Sequence, residues 1–142
     1  MNWFRKKEAA PLQTGLFLRG VEVIIDPPDA ESGKHLPADF AALGQAGFDR
    51  VVREQFIPWL KGEQFADRDD DRIFDGLKLY EVVYHYGRII AQYSPTGEDG
   101  WFGQFECDFE SGSDYTADML EAVAMQVTVF NGKIVKVDGF DV

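Results

Sequence analysis

A single cysteine, Cys107, in 142 residues excludes any intrachain disulfide, and a lone thiol gives no sign of an oxidising compartment. Long apolar runs are missing as well. No stretch approaches the roughly eighteen consecutive apolar residues of a spanning helix, so no membrane span is expected. Cations are scarce: 14 Lys and Arg face 25 Asp and Glu, leaving a formal charge of −11. Such a charge repels phosphate backbones and argues against a nucleic acid partner. With two histidines, His35 and His85, far apart in the chain and one cysteine, a zinc site of the Cys/His type is not expected. The phosphate-cradling spacing GxxxxGK[ST] is absent, and so is a GxSxG nucleophile elbow. No cofactor and no catalytic residue is therefore assigned.

What is present points to one folded domain. The chain has ordinary domain length, and 45% apolar residues suffice for a core. Twelve Phe, five Tyr, three Trp and fourteen Gly favour a body rich in strands and tight turns. The opening Met1-Asn2-Trp3-Phe4-Arg5-Lys6-Lys7-Glu8 carries its cations after the aromatics with no apolar run behind them, unlike a secretory signal. Residues 1–14 are expected to form a tail and residues 15–142 a single α+β domain, with a cytoplasmic location.

The pattern along the chain predicts an antiparallel sheet of five to seven strands packed on one face by helices. Leu16 to Ile25 reads as strand with a turn or bulge at Gly20, and Ala30 to Lys34 as loop. Helices are expected over about 37–46, opened by Pro37, and about 49–61. In the second, Phe48, Val52, Phe56, Trp59 and Leu60 repeat at spacings of three and four. Pro58 should kink that helix or start a separate turn. Gly62 to Gly76 is expected to be an acidic connection. Leu77 to Tyr86 follows as a strand, with Tyr80, Val82, Tyr84 and Tyr86 on one face and Gly87 turning the chain. Trp101 to Glu110 has the cleanest alternation: Trp101, Gly103, Phe105, Cys107 and Phe109 face one way, while Phe102, Gln104, Glu106, Asp108 and Glu110 face the other. Thr116 is expected to cap a short helix near 116–124. Asn131-Gly132 between two alternating runs predicts a hairpin.

Charge is uneven. Between Arg88 and Lys133 there is no Lys or Arg, while Glu98, Asp99, Glu106, Asp108, Glu110, Asp114, Asp118 and Glu121 all fall there. Glu106, Asp108 and Glu110 share a strand face at about 6.6 Å intervals, a spacing also compatible with acid and base in glycoside hydrolysis or with a plain solvated sheet face. Glu98, Asp99 and Phe102 adjoin them, and the six together form the candidate partner-binding surface. A second acidic run, Asp67, Asp69, Asp71 and Asp75, has the offsets of a calcium loop. Arg72 stands where that loop needs glycine and Lys78 where it needs its bidentate glutamate. Cys107, flanked on its face by Phe105 and Phe109, reads as a core residue and not as a nucleophile.

Leu36-Pro37-Ala38-Asp39-Phe40 resembles the L-P-x-D-Y/F helix entry of the SUKH family of bacterial immunity proteins over these five residues. The Asn-Gly-Gly stretch expected after that entry is replaced by Gly44-Gln45-Ala46-Gly47. Three functional classes follow. The first is a noncatalytic domain, immunity or antitoxin-like, offering an acidic sheet face to a basic protein. The second is a small-molecule or enzymatic pocket between helices and a curved sheet, as in NTF2-like cones. The third is a structural or assembly module. Oligomeric state is left open.

Overall fold

A computed structural model describes residues 10–141, and the N-terminal aromatics and cations lie outside the described residues. The fold is α+β. Six strands form one open sheet in chain order: β1 (Leu12–Leu18), β2 (Val21–Ile25), β3 (Leu77–Ile89), β4 (Gly100–Ser111), β5 (Val123–Phe130) and β6 (Lys133–Asp141). All neighbours run antiparallel except β2 and β3. That exception has a topological cause. The helical segment between β2 and β3 is long enough to carry the chain back to the start of the sheet, so the next strand runs parallel.

The two short hairpins form as turn chemistry dictates. Arg19 and Gly20 have φ of 48° and 76°, and Asn131 and Gly132 have φ of 50° and 74°, the twist that suits two-residue connections. Leu12 to Thr14, expected in the tail, belong to β1.

Helix α1 spans Ala30–Val51 and so begins seven residues before Pro37. The stretch expected as loop is helical because Asp29 caps it, accepting from the Ser32 N–H and the Ser32 hydroxyl at 2.8 Å each. The kink falls at Gly44, inside the first expected helix and not between the two at Gly47, and its φ of 57° is easy only for glycine. A π turn over Val52–Phe56 then leads into α2 (Ile57–Lys61). Pro58 lacks the N–H that would continue regular helix, and the wider turn meets it there. The acidic connection is partly helical: α3 spans Asp70–Gly76, capped by Asp69.

Two further expectations fail. Strand β3 runs straight through Gly87. No helix forms near 116–124, where turns lead into β5. Thr116 is buried, and its hydroxyl donates to the Gly76 carbonyl at 2.9 Å, so the residue ties two distant segments together instead of capping a helix.

The helices cover one sheet face. Phe48, Val52 and Phe56 are buried, with the Phe48 and Phe56 rings 6.3 and 4.9 Å from that of Phe109. Trp59 lies over β6 at Gly139, where a Cβ would come within 2.3 Å of its ring. Val82, Tyr84, Phe105, Met125 and Val127 complete this core.

Candidate functional site

The alternation of β4 delivers its acids to the face away from the helices. Glu106 and Asp108 lie there side by side, and Glu81 of β3 stands directly opposite Asp108. Glu81 reaches this position through a bulge: the register of β3 shifts between Leu79 and Glu81. Past the bulge, Val82 and Tyr84 turn into the core while Tyr80 stays 49% exposed. Tyr80, Val82, Tyr84 and Tyr86 therefore do not share one face of a cavity, contrary to the regular alternation.

The acid-only stretch is partly neutralised from outside itself. Glu110 pairs with Lys78 at 3.1 Å, Asp118 with Arg68 at 2.5 Å, and Asp99 with Arg88 at 2.5 Å. Asp99 also accepts from the Ala91 N–H at 2.7 Å, and that bond, with Arg88, holds its carboxyl below the usual range. It fastens the loop of residues 90–99. Glu98 is exposed in the same loop. Phe102, expected as an exposed contact, is only 1% exposed. Its ring lies 5.1 Å from that of Phe130, at the end of the outer face where Tyr93 and Pro95 of the loop border the sheet.

Glu81, Glu106 and Asp108 are what remains. Among the described residues none of the three has an ion-pair partner. Asp108 Oδ1 is buried without a hydrogen bond among the described residues. Burial raises the Asp108 pKa. Burial, then Asp108 and Glu81, raises that of Glu106. Beyond them the face becomes polar, with Gln104, Gln126 and Thr128 flooring a hollow of about 400 Å³ beside the loop. At its far rim Lys136 pairs with Asp138 at 3.5 Å. A patch of unneutralised carboxylates on an open sheet suits cation binding.

Both raised carboxyls hold protons more tightly in the folded chain than in the unfolded one. Their contribution is most favourable below the unfolded carboxylate range and is lost as pH rises through the raised folded values. Glu106→Gln with Asp108→Asn is accordingly expected to raise Tm at neutral pH by about 2–4 °C, the size of roughly 1 kcal/mol of relieved charge burial and like-charge repulsion. The gain should vanish in acid. Thermal unfolding followed by circular dichroism checks this, and a lowered Tm at neutral pH contradicts it.

The other candidates are dispersed. Asp69 caps α3, Asp71 pairs with Arg53 at 2.6 Å and neighbouring Asp70 with Lys61 at 2.5 Å, so the Asp67, Asp69, Asp71 and Asp75 run is spread from before α3 to its last turn and not wrapped around an ion. No group of three or more acids, His or Cys converges on a metal position among the described residues. Cys107 is fully buried on the helix side, and burial pushes its thiol up. His85 faces the other way, 3.7 Å from Asp29.

One arrangement has no counterpart in the sequence reading. Asp39 of α1 is 7% exposed and accepts the Tyr84 hydroxyl at 2.5 Å. Ser32 places the helix there: its hydroxyl accepts the Tyr86 N–H of β3 at 2.9 Å. Gly103 makes room, since a Cβ there would lie 1.9 Å from Asp39 Oδ2.

No family model, curated protein or solved structure matches this chain. No helix among the described residues is long and apolar enough to cross a membrane.

Proposed function

We propose that this protein is a noncatalytic binding domain that presents the outer face of its sheet to a basic protein partner. The observation that carries the reading is selective neutralisation. Asp99, Glu110 and Asp118 each have a cation from elsewhere in the chain, whereas Glu81, Glu106 and Asp108 sit together without one among the described residues. Grouped like charges cost stability and raise the potential that steers and holds cationic surfaces. An immunity or antitoxin-like role fits this physics, because neutralising a basic toxin requires such a face. A meeting in the cytoplasm fits the single unpaired Cys107.

The test is capture at low and high salt with two baits, the natural chain and the Glu81→Gln, Glu106→Gln, Asp108→Asn variant, followed by titration with the purified partner. The expected partner carries net positive charge, leaves at high salt, and binds the triple variant about tenfold or more weakly, as close interfacial charge pairs predict. A partner indifferent to both salt and the three substitutions refutes the reading.

A further inference from the structure

On the opposite side of the sheet, a cleft of about 360 Å³ opens between α1, the ends of β3 and β4, and the Asn131-Gly132 turn. Asp39 forms part of its wall, and three rings form another part. His35, one turn before Asp39 on α1, stacks on Tyr86 with centroids 3.7 Å apart and planes at 12°. Tyr86 is in turn 5.9 Å from Trp101. Trp101 is 54% exposed although it sits on the helix-facing side of β4. The helices stop short of it, so its outer surface is left to the cleft.

Two features make this more than a gap in packing. First, the carboxylate is under-served. It has room for about four hydrogen bonds, yet Tyr84 is its one side-chain donor and no Lys or Arg reaches it among the described residues. The nearby cation-capable group, His35, lies 3.5 Å from Glu31 instead. Second, the space Asp39 occupies is kept free by Gly103, since any Cβ would fill the position of Oδ2. A buried anion beside stacked aromatic faces is the complement of an organic cation, which supplies the missing charge and donors while the rings add cation–π attraction.

We infer that this cleft binds an organic cation, an ammonium group presented either by a small metabolite or by a lysine side chain, with Asp39 as counter-ion and Trp101 and Tyr86 as the aromatic wall. Nothing about this requires the acidic outer face, which lies across the sheet. Burial keeps the Asp39 carboxyl above its ordinary range, opposed by the Tyr84 bond and by His35. A bound cation favours the charged form, so affinity should fall as pH drops into the carboxylate range.

The experiment is an NMR titration of the full chain with n-butylammonium and with choline, following the indole N–H of Trp101 and the Tyr86 amide. A lysine-containing peptide is added as a third arm. Saturable shifts confined to the cleft are expected, with affinity in the millimolar range for the free cations and about tenfold weaker in Asp39→Asn. Trp101→Ala, a change at an exposed position that should not disturb folding, is expected to weaken binding several-fold through loss of ring contact, read at Tyr86. Free amines that bind as well as the peptide assign a metabolite; a peptide that binds tenfold or more tightly assigns a partner's lysine. The Glu81→Gln, Glu106→Gln, Asp108→Asn variant should titrate like the natural chain. Absence of saturation in all three arms overturns the inference, as does equal binding by Asp39→Asn or loss of binding in the outer-face variant.

Discussion

Gly103→Ala is expected to lower stability by about 3 kcal/mol, a fall in Tm of roughly 6–12 °C for a domain of this size. The added methyl would meet Asp39 Oδ2 at 1.9 Å and the Tyr84 hydroxyl at 2.8 Å. Neither neighbour can simply yield. Tyr84 is fully buried and tilted against Phe105 at 4.8 Å between centroids, and Asp39 is fixed on a helix anchored to β3 through Ser32. The methyl therefore breaks the Tyr84–Asp39 bond or lifts α1 off the sheet. Gly33→Ala, also on α1, offers a contrast: nothing lies within 4 Å of its Cβ position, so alanine there should add about 0.5–1 kcal/mol through helix propensity. Equilibrium unfolding in urea compares the two. Adding Asp39→Ala to Gly103→Ala should recover part of the loss, since it removes the colliding atom. A Gly103→Ala chain as stable as the natural one would show that the contact at Asp39 is not tight in solution.

Much of the scaffold is legible in local signals, and the exceptions share a cause. Period-two alternation assigns β4 its faces, and the Asn131-Gly132 pair fixes the last hairpin, because both depend on residues a few positions apart. The start of α1 is hidden because Gly33 interrupts the run, Pro37 reads as a first helical position, and the cap depends on Asp29 and Ser32 acting together. Thr116 resembles a cap, but its hydroxyl is spent forty residues away on Gly76. For the outer face, parity assigns Phe102, Glu106, Asp108 and Glu110 to one side, yet parity is silent about what covers that side. The loop tied down by Asp99 lies at the end where Phe102 is buried, and Lys78 answers Glu110. Glu81 is missed for a different reason: one bulged residue at Tyr80 shifts every later side chain of β3 to the opposite face. Asp39 is visible in sequence only as an acid near a helix start. Its partner stands 45 positions away, and the glycine that admits it is on a third element.

The Tyr84–Asp39 pair also allows a test of whether the buried carboxylate is retained for folding or for binding. Burial raises the folded pKa of Asp39, and the Tyr84 hydroxyl pulls it back by bonding the charged form. Asp39 thus favours the fold most below its unfolded pKa, and that contribution fades as pH rises through the raised folded value. Tyr84→Phe removes the opposing bond and is expected to cost about 2–3 kcal/mol at neutral pH, where the carboxylate is charged and would lose its donor. The cost should shrink in acid, where the protonated group no longer needs one. Asp39→Asn behaves differently, because the amide oxygen still accepts from Tyr84 while the charge is gone. It should match or exceed natural stability at neutral pH and fall slightly behind in acid. Chemical denaturation at neutral and acid pH separates these outcomes. An asparagine that folds at least as well as the aspartate would mean that the charge is kept at a cost to the fold, as expected of a group whose natural complement is a bound cation. A large neutral-pH loss in Asp39→Asn would instead make the carboxylate a structural strut, and the aromatic cleft beside it would lose its counter-ion argument.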